Sequence, residues 1–144
     1  MCATIMTLKI VSWQTHKDKL LKVRLAVFVD EQSVPESEEI DDKDPEAIHV
    51  LAEDEQANPI ATGRLTKDGR IGRMAVLESY RGKNIGFHIL QKLIEEAKNT
   101  GFTQIRLSSQ LHAIPFYEKA GFKRTGEIYD DCGIPHVDMV RGGN

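Results

Sequence analysis

The sequence has little of what marks metal, membrane or nucleic-acid proteins. It has two cysteines in 144 residues, Cys2 and Cys132, which form neither a close metal-binding spacing nor a disulfide framework. No apolar run approaches the roughly 20 residues that span a bilayer, and the start, MCATIMTLKIVSW, lacks the basic residues and cleavage site of a signal peptide. A net charge of −3 offers no basic surface for nucleic acid. We expect a cytoplasmic protein that holds no metal and binds neither membranes nor nucleic acid.

The length and the patterning of apolar residues predict one domain over residues 1–144. Alternation predicts a first strand in TLKIVSW, with Leu8 and Ile10 on one face, and helical spacing predicts a helix in HKDKLLKVRLAVFVDEQ. Three strands then form a meander, IHVLAED, IATGRLTK and RIGRMAVL, with a hairpin signal at Asp68 and Gly69. A helix from Ile85 to Gly101, a strand, a short helix and two strands complete an α+β fold with a mixed, mostly antiparallel sheet.

The segment YRGKNIG precedes the long helix and has the properties of an anion-binding turn. The first N–H groups of a helix lack intrahelical partners and lie at the positive end of the dipole, which favours phosphate. Gly82 and Gly86 allow the backbone to approach a ligand closely, and Asn84 tolerates a left-handed conformation. The segment is neither a P-loop nor a dinucleotide fingerprint.

In order, IGRMAV, YRGKNIG and FYEKAGF resemble the GNAT superfamily of N-acetyltransferases over nearly the whole chain. The resemblance implies acetyl-CoA as the co-substrate, with its pyrophosphate on the turn and its pantetheine paired like an added strand with the backbone of the preceding strand. In this sequence the turn comprises Arg81, Gly82, Lys83, Asn84, Ile85 and Gly86, and the strand segment comprises Met74, Ala75 and Val76. Asn84 stands where the family usually has glycine, and we expect binding to survive this difference.

The resemblance also implies two catalytic residues. Tyr117 falls where the family often has a tyrosine near the CoA sulfur, and a phenol with a pKa near 10 could protonate the departing thiolate. His136 lies in GEIYDDCGIPHVDM, which resembles the tail of a subgroup that includes glyphosate N-acetyltransferases, where a histidine deprotonates the amine. His112 could also approach the acetyl site. Cys132 is a weaker candidate nucleophile because Asp130 and Asp131 would raise its pKa.

Charged residues near the site suggest how an acceptor would bind. Arg24 and Arg73 resemble arginines that hold an anionic acceptor in the same subgroup, although Arg24 could instead form a salt bridge to the acidic loop. The loop between Glu36 and Glu46 has seven acidic residues and one lysine. The longer stretch RLAVFVDEQSVPESEEIDDKD, which runs into this loop, resembles a GNAT branch of uncharacterised bacterial proteins, and the resemblance implies that Glu39 or Asp41 could hold a cationic amine. A small zwitterion would satisfy both charges.

We therefore predict an acetyl-CoA-dependent N-acetyltransferase that acts on the primary amine of a small molecule. Two alternatives stay open: a non-catalytic CoA-binding module, and an enzyme like the acyl-homoserine-lactone synthases, which share the fold. The sequence does not fix the oligomeric state, and a homodimer stays open because dimers are the commonest oligomers and are frequent in this superfamily.

Overall fold

The structure, a computed structural model, describes residues 6–34 and 41–142. Seven strands form one sheet in the order β1-β2-β3-β4-β5-β7-β6. Their bounds are Thr7–Val11 (β1), Ile48–Glu53 (β2), Pro59–Leu65 (β3), Arg70–Val76 (β4), Gln104–Gln110 (β5), Lys123–Asp131 (β6) and Ile134–Gly142 (β7). Among these pairs only β4 and β5 run parallel, so the predicted mixed, mostly antiparallel sheet is confirmed.

The long helix follows the sequence prediction closely. Helix α2 spans Ile85–Thr100 (α1 precedes it, at Trp13–Arg24) and ends at Gly101 in a left-handed conformation, with φ of 103°. Its apolar stripe packs on the sheet and forms most of the main core with β2, β3 and β5. The buried stripe is the one that the spacing predicts: Ile85, Ile89, Leu90, Leu93, Ile94 and Ala97. Among the described residues, no helix is long and apolar enough to cross a membrane.

The first helix departs from its prediction at both ends. It begins earlier, at Trp13, where the Ser12 hydroxyl accepts a hydrogen bond from the Thr15 N–H at 3.3 Å. The α-helix stops at Arg24, and the chain continues through π-helical turns over Leu25–Glu31. Apolar spacing alone cannot reveal this change of winding because both helices present a similar face over two turns.

Strand β1 buries the predicted face only in part, since Leu8 packs against the main core but Ile10 does not. Ile10 is 41% exposed, whereas Val11 is buried. Val11 packs with Trp13, Leu20 and Leu51 in a small second core beneath α1. The reason is that α1 covers this side of the sheet directly after β1 ends, so the last strand residue faces the helix.

Strand β4 carries a bulge where it leaves the regular ladder. Thr62 pairs with Ala75 and Arg64 pairs with Gly72, so Arg73 and Met74 together face one residue of β3. Arg73 adopts a positive φ of 49°. On its other side β4 pairs with β5 only at Arg70 and Ile71. The two parallel strands therefore diverge beyond these pairs, and bulges are typical of strands that aim side chains into a site.

Gly63, which faces the bulge, should not tolerate a side chain. A Cβ atom there would lie 2.7 Å from both Ile89 Cγ2 and Leu93 Cδ1, and both side chains are fully buried. We expect Gly63→Ala to lower the free energy of unfolding by about 1–3 kcal/mol through overpacking. Urea unfolding measures this. The matched control is Gly72→Ala, since a Cβ at Gly72 meets no atom within 4 Å, and equal stability of the two variants would contradict the prediction.

Candidate active site

A cavity of about 580 Å³ opens where β4 and β5 diverge and lies beside the β6–β7 hairpin. It is lined by residues from distant parts of the chain. The predicted site residues among them are Asp41, Arg73, Met74, Tyr117 and His136, together with His112 and Cys132. One cavity thus brings both candidate catalytic residues to the same space as the strand bulge. Glu39 lies outside the described residues.

His136 is held at the start of β7 with one ring nitrogen engaged. Its Nδ1 lies 2.7 Å from the carbonyl oxygen of Ile134. Because a carbonyl only accepts, Nδ1–H donates, and a neutral ring then has an unprotonated Nε2. The side chain is half-buried and lines the cavity. This tautomer is the one that can accept a proton at Nε2.

Tyr117 lies on a short helix, α3, which spans Ile114–Glu118 with Pro115 in its first turn. Its ring packs edge-on against Phe116 and Phe122, with centroids 5.1 and 6.1 Å away. Its hydroxyl lies 4.0 Å from the Met74 sulfur, within the strand segment predicted to meet pantetheine. Burial raises the pKa of Tyr117 to about 12. The phenol is therefore fully protonated at neutral pH but is a weaker acid than the sequence suggests.

Asp41 and Arg73 meet at the cavity through a shared ion-pair network. Arg73 Nη2 lies 3.2 Å from Asp41 Oδ2. Arg64 donates to the same carboxylate from Nη1 to Oδ1 at 2.8 Å and from Nη2 to Oδ2 at 3.2 Å. Burial opposes ionisation of Asp41, but hydrogen bonding and charge from Arg64, with Arg73, lower its pKa overall. The pair presents charges of both signs to the cavity. Among the described atoms, Arg64 Nε is buried without a hydrogen-bond partner.

Arg24 has the salt-bridge role and not the predicted acceptor contact. It is 1% exposed, and its two terminal nitrogens lie 2.9 and 3.0 Å from the two carboxylate oxygens of Asp44. It does not line the cavity. Asp44 also receives Arg64 Nη1 at 3.0 Å, so this buried carboxylate connects helix α1 to the network at the cavity. His49 donates from Nε2 to the Asp44 carbonyl at 2.9 Å, and burial lowers the pKa of His49, which keeps it neutral.

The glycine turn is exposed and has the backbone shape that the sequence suggests. Gly82 and Asn84 have φ of 79° and 63°, and Asn84 caps helix α2 in the left-handed conformation. A Cβ at Gly82 would meet no atom within 4 Å. The turn is thus open in front of the unpaired N–H groups at the start of a 16-residue helix. These features fit a bound pyrophosphate.

Arg81 connects the turn to the strand segment. Its Nε donates to the carbonyl of Val76 at 2.9 Å, and its Nη2 lies 2.7 Å from Glu31. On the β3 side Ala75 and Val76 pair in the ladder, while the side toward β5 lies beyond the last β4–β5 pair. The strand segment and the turn are therefore adjacent, as a ligand that contacts both would require.

Several cavity residues were not singled out as site residues by the sequence. They are Arg64, Arg70, Ser108, Gln110 and Tyr129. Arg64 carried a usable signal, since it is a charged residue within a strand that is buried throughout. Tyr129 carried none, because its place depends on the register between the last two strands.

Two further candidates have ordinary surroundings. Cys132 is exposed in the two-residue turn between β6 and β7, with φ of 53°. His112 is exposed at the cavity rim. Within residues 6–34 and 41–142, no group of three or more His, Cys, Asp or Glu side chains could hold a metal ion.

Comparisons with known proteins agree with this geometry. The profile of the acetyltransferase (GNAT) domain matches residues 14–141. The uncharacterised N-acetyltransferase YjcF of Bacillus subtilis (strain 168) is 38% identical over 123 residues, covering 83% of this chain and 87% of that protein. An acyl-CoA N-acyltransferase from Pseudomonas aeruginosa superposes with a TM-score of 0.86 at 26% identity, covering 96% of this chain and all of the other. Escherichia coli ElaA gives 0.84 at 28% identity, covering 95% and 99%. The chain belongs to the GNAT family of N-acetyltransferases.

Proposed function

We propose that the protein transfers the acetyl group of acetyl-CoA directly to the primary amine of a small zwitterionic molecule. The observation that carries the proposal is one cavity lined by Tyr117, His136 and the β4 bulge, on a strand whose end contacts the open turn through Arg81 and Val76. In the reaction the amine nitrogen bonds to the acetyl carbon, the carbon–sulfur bond breaks, and sulfur leaves as a thiolate that ends as a thiol. Acetyl-CoA supplies the acetyl group already activated as a thioester.

His136 is the proposed general base. A primary amine with a pKa near that of lysine, about 10.4, is an ammonium ion at neutral pH and has no lone pair to attack with. Nε2 of His136 can take that proton because Nδ1 is already engaged with Ile134. A well-placed base is worth about 10²- to 10⁴-fold in rate.

Tyr117 is the proposed partner of the leaving sulfur. With its pKa raised to about 12 by burial, it cannot give its proton outright to a thiolate whose conjugate thiol has a pKa of about 8.5. It can donate a hydrogen bond to that thiolate, which then takes the second proton that the acceptor nitrogen loses. This role needs a protonated hydroxyl, which a phenol has at neutral pH even at its ordinary pKa of about 10, and burial favours that form further.

Asp41 and Arg73 are the proposed acceptor contacts, since both line the cavity at its charged side. A carboxylate on the acceptor would bind a guanidinium, and its ammonium group would bind the carboxylate. Glu39 remains a further proposed contact. Met74, Ala75 and Val76, with the turn from Arg81 to Gly86, are proposed to hold acetyl-CoA through backbone groups.

Two measurements on the wild-type protein test the proposal. Acetyl-CoA at 100 times its dissociation constant should stabilise the fold by about 2.7 kcal/mol and raise the melting temperature. Free CoA should be released when amino acids or amino-sugar phosphates are added. The rate of its release should fall when the acceptor lacks either its positive or its negative charge. Matched acceptors are an amino acid and its decarboxylated amine.

The possible outcomes separate the alternatives. No thermal shift at millimolar acetyl-CoA would overturn the proposal. A shift with no turnover across a broad panel of amines would favour a non-catalytic CoA-binding module. Equal rates with the amino acid and its decarboxylated amine would leave acetyl transfer standing but contradict the zwitterionic acceptor.

A further inference from the structure

The residue opposite His136 is set by a second bulge, in β6. Thr125 pairs with Asp138, but Tyr129 pairs with His136, so three residues of β6 face one of β7. In a regular antiparallel pair each step along one strand is one step back along the other, and Glu127 would then face His136. The bulge, which includes Gly126 with φ of 79°, replaces that carboxylate with a phenol ring.

The ring of Tyr129 lies against the imidazole. The two centroids are 6.2 Å apart, and the ring planes differ by 27°. This is within the range of offset stacking, and directly opposed residues share one face of the sheet. The hydrogen bond to the Ile134 carbonyl holds one edge of the imidazole but does not restrain its faces. The tyrosine ring packs against one of those faces.

The far end of Tyr129 is anchored by two neighbouring strands. Its hydroxyl donates to Asp138 Oδ1 at 2.7 Å and also bonds to the Ser108 hydroxyl. Arg70 Nη1 lies 4.0 Å from the same Asp138 oxygen. Burial and Asp138 raise the pKa of Tyr129 despite the opposing Ser108 bond, so the donor remains protonated. An exposed side chain (40%) is thereby fixed at both ends.

We propose that Tyr129 is a positioning residue that holds the His136 ring with Nε2 directed for proton transfer. The inference rests on the proposed role of His136 as the base. The strand register, the stacked ring and the hydroxyl anchors all act on the same imidazole. Misplacement of a catalytic group by about 1 Å can cost about 10²-fold in rate. Loss of Tyr129 should therefore lower the rate by an amount of this order.

The test compares variants of the intact protein under steady-state acetyl transfer. Tyr129→Ala should lower kcat by about 10- to 100-fold while leaving the KM for acetyl-CoA within about twofold, because the cofactor turn is untouched. Tyr129→Phe keeps the ring and should recover most of that loss. The matched control is Ile128→Ala, a neighbouring exposed residue (59%) that does not line the cavity, and it should match the wild type.

A double variant shows whether Tyr129 acts through His136. Tyr129→Ala should add little to the loss of kcat caused by His136→Ala, because without the imidazole Tyr129 has no catalytic ring to position. If Tyr129→Ala keeps the wild-type kcat while His136→Ala is inactive, the positioning role of Tyr129 is overturned but the role of His136 as base is not. Fully additive losses in the double variant would have the same meaning. Full activity of His136→Ala would overturn both roles. Melting temperatures verify folding, and Tyr129→Leu, which should lose activity as Ala does, replaces Tyr129→Ala if that variant unfolds.

Discussion

Replacing His136 with alanine is expected to lower kcat by about 10²- to 10⁴-fold at neutral pH. The physical reason is that the ammonium group of the substrate must lose a proton before its nitrogen can attack. His136 is the proposed base because it lines the cavity and its Nδ1 is already hydrogen-bonded to Ile134, which leaves Nε2 to take the proton. The loss should shrink as the pH rises toward the amine's own pKa of about 10.4, because solvent then supplies the free amine. Steady-state rates with saturating acetyl-CoA between pH 6 and 10 measure both effects.

The control for this experiment is another histidine of the chain. His88→Ala removes an exposed imidazole from helix α2, away from the cavity lining. It should leave kcat within about twofold, since exposed substitutions away from the site change little. If His136→Ala keeps the wild-type rate within a few fold across the pH range, His136 is not the base.

Replacing Asp44 with asparagine is expected to lower the free energy of unfolding by about 3–5 kcal/mol. The carboxylate is fully buried between Arg24 and Arg64, and asparagine has nearly the same shape without the charge. The variant removes the negative charge that Asp44 places against the Arg24 guanidinium, which is itself 1% exposed. Denaturant unfolding at neutral pH gives the loss, and Asp42→Asn, which makes the same change at an exposed neighbour, should be nearly neutral.

The stability difference between the wild type and Asp44→Asn should also depend on pH, in a direction that the pKa of Asp44 determines. Burial opposes ionisation of Asp44, but the hydrogen bonds and charges of Arg24 and Arg64 lower its pKa overall. A lowered folded-state pKa contributes stability above the ordinary aspartate value of about 3.9, and this contribution is lost as pH falls through the folded-state value. The stability gap between wild type and Asp44→Asn should therefore narrow below about pH 4. A constant gap down to pH 3 would contradict the assignment.

Much of the fold could be predicted because its signals are local. The period of 3.6 residues in α2 fixed its buried stripe residue by residue, and the hairpin signal at Asp68 and Gly69 separated β3 from β4. The backbone shape of the glycine turn also follows from local chemistry, since glycine and the helix start are adjacent in the chain. The π-helical turns after Arg24 lie outside such reasoning because they depend on what the helix packs against.

The candidate site was harder to predict because its partners are distant in sequence. The sequence leaves open whether Arg24 holds an acceptor or a salt bridge, because its partner Asp44 lies twenty residues later in the chain and only folding brings the two together. Tyr129 reaches His136 only through a register shift of two residues, which leaves no mark in the composition of β6. Contacts set by tertiary packing decide both cases.

The bulge in β6 has a consequence for how the protein behaves at high concentration. β6 is the last strand of the sheet, and all nine of its residues are exposed, so its outer backbone groups could template another chain. The bulge at residues 126–128 interrupts that row in the middle, and the charged pairs Lys123–Arg124 and Asp130–Asp131 stand at its two ends. The bulge that places Tyr129 thus also disfavours pairing of this edge strand with another chain, and a regular β6 would pair and aggregate more readily.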